Sequence, residues 1–261
     1  MQGEYGRGGM RQDGGDAGAA PVPRCVAGAD VSYTGGRAVA GVAFLEFPSL
    51  ELLHSELGEL PAASLDVPYK AGYLAFREAP AILVLLRRAA LKGYVPDLLF
   101  VDGNGRLHPE RCGLACHVGL LSGLPTIGAA KSLFAFGELK ERQVREDCAQ
   151  ALAARAGRGT STLPVALPLA PLPGGEALGS ALCGHAGSAR PIFISVGNRI
   201  SLARAVELTV LCCRHRVPEP VRQADFLTRK ILGEFVPALG GVPTLHPEEL
   251  TEMHDKLHDF S

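Results

Sequence analysis

In the stretch Leu98-Leu99-Phe100-Val101-Asp102-Gly103-Asn104-Gly105, four apolar residues run into a carboxylate, and the carboxylate runs into a glycine-rich turn. A short continuous apolar run bounded by turn residues predicts a buried strand. Asp102 then sits at the strand's C-terminal end, where open α/β sheets place their ligands. Gly103 and Gly105 give the turn backbone freedom and let a ligand or a phosphate backbone approach the main chain. Taken by itself, the segment also reads as an ordinary βα turn in which Asp102 is a local cap.

The 261-residue length allows one large α/β domain or two small ones. Hydrophobic residues make up 47% and charged residues 20%, which suits a globular fold with a sizeable core. The formal net charge of -1 provides no global field for a polyanion, so such a partner must be held by local basic patches or metal ions. Seven cysteines without regular spacing, including the adjacent Cys212-Cys213, make a poor disulfide framework and point to a reducing compartment. Cys112-x-x-x-Cys116-His117 looks metal-like, but a zinc site needs a second ligand pair, and none is evident. No apolar run approaches the ~20 residues of a membrane span. The N-terminus lacks the apolar centre of a signal peptide.

Residues 1–22, rich in Gly with Gln, Asp and Arg and without periodicity, are expected to be disordered. Structure is expected from residue 23, with a catalytic domain over 23–232 and a loosely attached tail over 233–261. Cys25 to Tyr33 reads as a strand carrying Asp30, followed by a Gly35-Gly36 hairpin turn, a returning strand Ala38 to Phe47, and a third strand within Leu50 to Leu60. Ala79 to Lys92 predicts a helix with Pro80 in its first turn, which puts Glu78 beside a helix N-terminus. Further expectations are a helix over Cys112 to Ser122, a buried strand from Pro125 to Ala130 ending at Lys131, and a helix within Gly137 to Gly157. Strand-like pieces lie near Leu163–Leu169 and Ala177–Cys183. A strand over Pro191 to Val196 and a helix over Ser201 to Arg214, N-capped by Ser201, come next. Asp225 precedes a helical Phe226 to Leu232.

Asp30, Glu78, Asp102 and Asp225 thus sit on a first strand or at element ends. Clustered carboxylates repel one another, so a cluster implies a cation, and hard oxygen ligands with open positions suit Mg²⁺ or Mn²⁺. Asp on a first strand, Glu on a following helix and Asp on a later strand is the ligand layout of ribonuclease H-like nucleases. Such sites use metal to activate water and to stabilise in-line displacement at phosphorus.

The chain resembles the endonuclease V (deoxyinosine 3′-endonuclease) family, especially its animal members. The matching blocks are Asp30-Val31-Ser32-Tyr33, Pro68 to Glu78 (PYKAGYLAFRE), Val101 to Gly119 (VDGNGRLHPERCGLACHVG), Gly128 to Lys131, Ile194 to Leu202 (ISVGNRISL) and Pro218 to Asp225 (PEPVRQAD). The resemblance implies an α/β, RNase H-like fold: a central mixed β-sheet flanked by helices. It implies a Mg²⁺-dependent endonuclease, with Mn²⁺ able to substitute, that cuts inosine-containing single-stranded RNA at the second phosphodiester 3′ to inosine. Deoxyinosine DNA is a further substrate class. By the same resemblance Asp30, Glu78 and Asp102 are the metal-binding carboxylates, and Asp225 is a further catalytic residue. Lys131 contacts phosphate or a metal-bound water. Pro68-Tyr69 is the wedge that fills the gap left by the flipped base, and Gly103, Gly105 and His108 line the hypoxanthine pocket. A monomer in the cytoplasm and the nucleus or nucleolus, neither membrane-bound nor secreted, is expected.

Two departures stand out. The family's opening helix with Trp-x-x-Glu-Gln has no match in the first residues, and this chain has no Trp, so that helix is expected to be lost or replaced. Asn198 stands where the family usually has His. Two other function classes compete: a catalytically weak inosine-RNA binder, and a nucleotide-dependent enzyme built on Gly103-Asn104-Gly105. The second lacks both a full G-x-G-x-x-G and a P-loop lysine pattern.

Overall fold

The computed structural model describes residues 21–65, 70, 72–156, 164–183, 188, 190–233 and 242–258. The strands are β1 (Cys25–Thr34), β2 (Arg37–Glu46), β3 (Leu52–Glu59), β4 (Leu98–Val101), β5 (Thr126–Ala130), β6 (Val165–Leu169), β7 (Gly179–Cys183) and β8 (Ile192–Asn198). Among the described residues they form one sheet in the order β3-β2-β1-β4-β5-β8-β7-β6. β1, β2 and β3 make an antiparallel meander, β4 and β5 join β1 in parallel, and β8, β7 and β6 return antiparallel. This is the mixed, helix-flanked RNase H-like architecture the sequence implies. β4 is buried along its whole length, as its unbroken apolar run requires.

The helices are α1 (Leu74–Leu91), α2 (Leu114–Ser122), α3 (Glu141–Ala156), α4 (Leu202–Cys212), α5 (Glu219–Gly233) and α6 (Pro247–His258). Strand alternation divides the interior. Ala27, Ala29 and Val31 of β1 pack with α1, α2 and α6, whereas Val26 faces the cluster that includes α4 and α5. A third cluster joins α3 to β6 and β7.

Three expectations change. First, α1 starts at Leu74 rather than Ala79, and Pro80 lies inside it. A proline in a helix interior gives up one hydrogen bond. Here the burial of Ala79, Ala81, Ile82 and Leu83 around it keeps the helix continuous. Glu78 is therefore in the second turn and not at a helix N-terminus. Second, Asp225 lies within α5 instead of before a helix, because Pro220 occupies the first turn, where a missing N–H costs nothing. Third, the segment after residue 233 is no loose tail over its described part. Leu245 is fully buried, and Leu250, Met253 and Leu257 of α6 join the core against α1. Arg88 of α1 adds an ion pair to Glu249 at 2.6 Å. The expected disorder of residues 1–22 falls almost wholly outside the described residues. No helix among them is long and apolar enough to cross a membrane.

Candidate active site

The site forms where the middle of β1 and the C-terminal ends of β4 and β5 meet α5. Asp30 is on the β1 face opposite Ala29 and Val31, the same face as Gly28. A Cβ at Gly28 would lie 2.0 Å from the Pro220 carbonyl carbon, and one at Gly41 would lie 2.7 Å from the Thr228 methyl. Asp30 and Gly41 are directly paired across β1 and β2. The two glycines thus let α5 settle directly on the strands, and that approach carries Asp225 and Thr228 to Asp30.

Asp30, Asp102 and Asp225 each present a carboxylate oxygen within 4.8 Å of the others. Lys131, just past β5, places Nζ 2.5 Å from Asp102 Oδ2 and 3.7 Å from Asp225 Oδ1. Arg229, one turn along α5, pairs with Asp225 at 2.9 Å. Ser32 Oγ donates to Asp30 Oδ2 at 3.1 Å, and Thr228 Oγ1 lies 3.3 Å from the same oxygen. Asp30, Ser32, Asp102, Lys131, Asp225 and Arg229 line a cleft of about 540 Å³.

The electrostatics show crowding that Lys131 and Arg229 relieve only in part. Asp30 is 7% exposed, and burial, reinforced by the neighbouring Asp102 and Asp225 charges, pushes its pKa up to about 7. Glu78 lies outside the close triad but next to it. Burial, with repulsion from Asp30 and Asp102, raises its pKa to about 8, against an opposing hydrogen bond from Tyr33. Lys131 rises despite its own partial burial, because Asp102, Asp225 and Asp30 favour its charge. Hard carboxylate oxygens in a cluster that resists full ionisation suit a divalent cation such as Mg²⁺. Asp30, Asp102 and Asp225 are the residues positioned to hold one, with Glu78 behind Asp30. The resemblance made Asp30, Glu78 and Asp102 the metal ligands and Asp225 a further catalytic residue, whereas the fold gathers Asp225 with Asp30 and Asp102 and leaves Glu78 beside them.

A second cavity of about 220 Å³ adjoins the cleft and shares Asp102 and Lys131 with it. Gly103 and His108 line it, together with Gly72, Asn104 and Phe134. His108 Nδ1 accepts from the Glu110 N–H at 3.2 Å, and burial holds its pKa down, so the neutral ring carries its proton on Nε2. Gly105 is placed differently. It is buried beneath the turn, its N–H donates to Ser195 Oγ at 2.8 Å, and a Cβ there would lie 2.1 Å from the Val196 carbonyl oxygen. It shapes the turn and does not line the cavity. Pro68 and Tyr69, the expected wedge, lie outside the described residues.

The Endonuclease V family profile matches residues 15–226. Human Endonuclease V is 42% identical over 226 residues, covering 84% of this chain and 75% of the human protein.

The chain belongs to the Endonuclease V family.

The crystal structure of human ENDOV superposes with a TM-score of 0.70 at 42% identity, covering 80% of this chain and 84% of that one. Ciona intestinalis Endonuclease V, solved with a 24mer DNA containing an inosine followed by a ribo-adenosine, gives 0.71 at 32% identity, covering 81% and 87%. Membership makes the chain an endonuclease. Within this Endonuclease V scaffold Asn198 acts as a structural tie. Its Nδ2 donates to the Gly119 and Leu124 carbonyls at 2.8 and 3.0 Å and fastens α2 to the loop behind it. Sequence reasoning passed over Ser32, Thr228 and Arg229. Each had a usable signal, since Ser32 is two residues from Asp30 on the same strand face, and Thr228 and Arg229 are three and four residues from Asp225 on a helix.

Proposed function

We propose that the chain is a Mg²⁺-dependent endonuclease that cuts inosine-containing single-stranded RNA, and deoxyinosine DNA less well, at the second phosphodiester 3′ to inosine. The observation that carries this reading is the acidic triad opening onto a cleft that shares Asp102 and Lys131 with a smaller cavity. The cleft suits a scissile phosphate and the cavity an extruded base. The relative from Ciona intestinalis supports the substrate, since its bound DNA carries a ribonucleotide directly after inosine.

Asp30, Asp102 and Asp225, with Glu78 adjoining, would hold the cation. When bound, the cation supplies Lewis-acid stabilisation of charge developing at phosphorus. The chain's own groups do the rest. Lys131, kept protonated by its carboxylate neighbours, is placed to hold a phosphate oxygen. Ser32 and Thr228 fix the Asp30 carboxylate. The neutral His108, set edge-on to Phe134, supplies part of the wall against which the extruded base would rest. Tyr69, on the backbone stiffened by Pro68, would stack in the gap left by the extruded base.

The test is cleavage of matched RNA and DNA oligonucleotides containing inosine or adenosine, at fixed salt, in Mg²⁺ or EDTA. The inosine RNA should be cut fastest, one nucleotide beyond the inosine's own 3′ linkage, and only with metal. Tight binding without a cut would favour an inosine-RNA binder, and equal or faster cutting of DNA would refute the RNA preference.

A further inference from the structure

Nucleophilic and basic side chains meet a second time at the N-terminal end of α2. Cys112 Sγ lies 3.7 Å from Nδ1 and 3.9 Å from Nε2 of His117. His117 Nδ1 is also 2.9 Å from the Gly113 carbonyl oxygen. With Nδ1 donating to that carbonyl, Nε2 is the ring atom free to take the Cys112 proton. Cys112 directly precedes Gly113, the N-cap of a nine-residue helix, where partial positive charge favours an anion. Cys116, one turn along, donates its S–H to the Val196 carbonyl at 3.8 Å. The neighbouring Cys116 and the His117 ring hold the Cys112 thiol well below the usual cysteine range, and Cys112 and burial push the Cys116 thiol up. The pair is unequal in access as well, because Cys112 is half-buried and Cys116 buried.

This is a thiol–imidazole cluster and not a zinc site. Among the described residues, the acidic triad is the group of metal-ligating side chains whose donor atoms gather within 4.8 Å, and the Cys112 cluster does not. What it adjoins is the smaller cavity. Gly113 lines that cavity, its N–H donates to the Gly105 carbonyl at 3.0 Å, and the Ala115 N–H donates to the Asn104 carbonyl at 3.0 Å. A Cβ at Gly113 would lie 2.3 Å from the Asn104 carbonyl oxygen, so the backbone here has no slack.

We propose that Cys112 is a modification site for hydrogen peroxide, that Cys116 resolves the oxidised sulfur into an internal disulfide, and that this bond displaces Gly113 from the cavity wall. In the first step the Cys112 thiolate attacks one peroxide oxygen and the O–O bond breaks. The departing oxygen takes the proton held by His117, giving a sulfenic acid and one water. In the second step the Cys116 sulfur attacks the Cys112 sulfur, the S–O bond breaks, and the hydroxyl leaves with the thiol proton as a second water. Two thiols are oxidised by two electrons and one hydrogen peroxide is reduced.

The chemical step is independent of the function proposed above, and the effect on cleavage rests on it. The full chain is exposed to equimolar hydrogen peroxide and followed by intact mass and peptide mapping. Cys25, the other half-buried thiol, is the internal control, since burial and the nearby Asp97 raise its pKa. A Cys112–Cys116 disulfide should form at least ~10-fold faster than any product at Cys25. Cys116→Ser should stop at a dimedone-trappable sulfenic acid on Cys112. Reaction at Cys25 first, or no product at Cys112, overturns the proposal. Oxidised protein should lose cleavage of the inosine oligonucleotide and recover it on reduction, and Cys112→Ser should keep cleavage through the treatment. A disulfide that leaves cleavage intact overturns the link to the cavity. A fully reduced chain that never cuts the oligonucleotide fails the proposed function and leaves the thiol chemistry standing.

Discussion

Glu56 on β3 and Asp30 on β1 are buried to nearly the same depth, 6% and 7% exposed, and the fold treats their charges in opposite ways. Lys92 Nζ and His54 Nε2 each stand 2.6 Å from Glu56 Oε1, and the His54 ring stacks on Tyr94 with centroids 4.0 Å apart. Burial works to raise the Glu56 pKa, but those two partners outweigh it and hold the carboxyl low. At Asp30 burial acts together with Asp102 and Asp225, against Lys131, and the carboxyl rises to about 7. Desolvation is common to both. The difference lies in whether the chain supplies the countercharge. Glu56 is neutralised within the fold, whereas Asp30 and its neighbours leave negative charge for a cation to balance.

The sharpest way to break this contrast is to neutralise one member on each side. Asp102→Asn should reduce cleavage about 1000-fold or more, since a metal ligand supports several kcal/mol of transition-state stabilisation. Glu56→Gln should leave turnover per folded molecule within a few-fold. Single-turnover kinetics on both variants decide it, and near wild-type turnover in Asp102→Asn would end the assignment. A smaller effect belongs to Tyr69. As a stacking wedge, Tyr69→Ala should weaken inosine-substrate binding by about tenfold to a hundredfold, with Tyr69→Phe mild. Affinity in Ca²⁺ and the melting temperature, measured on the same proteins, separate this from core packing, which would lower stability and spare affinity. The smallest effect tests the Glu56 side. Lys92→Met removes a charged hydrogen bond from a side chain that is 56% exposed, so the loss should be about 1 kcal/mol after screening. That corresponds to a fall of about 2–4 °C in Tm, with cleavage unchanged.

The contrast also explains what the sequence could reveal. β4 was legible because four consecutive apolar residues must be buried on both faces, and that placed Asp102 at the strand end. Lys131 followed by the same logic at β5. The α1 start was hidden because Pro80 is a strong local breaker that core packing overrides. α6 was hidden because its burial depends on α1, a partner as distant in the chain as Arg88 is from Glu249, and a scatter of histidines masked its apolar stripe. Gly28 and Gly41 looked like ordinary strand glycines, and only the approach of α5 gives them a role. The acidic residues were individually readable and their convergence was not. Asp225 joins Asp30 through helix docking across nearly the full length of the domain, which no local pattern encodes. The endonuclease V resemblance supplied that long-range information, though it did not separate Gly105, which shapes the turn, from Gly103, which lines the cavity.

The most direct test is the thermal stability of the wild-type chain with and without Mg²⁺ at two pH values. Asp30 and Glu78 have folded-state pKa values of about 7 and about 8, above the ordinary carboxylate values near ~4. The folded state therefore takes up protons that the unfolded chain does not, and the resulting penalty is fully present above about pH 8 and fades as pH falls toward ~4. In EDTA, Tm should be higher at about pH 6 than at about pH 8.5. Mg²⁺ should raise Tm at the higher pH and do so less at the lower, where protons compete for the same oxygens. A Tm indifferent to Mg²⁺ at the higher pH, or a Mg²⁺ response larger at the lower, would contradict the claim that these carboxylates are held in surplus for a cation.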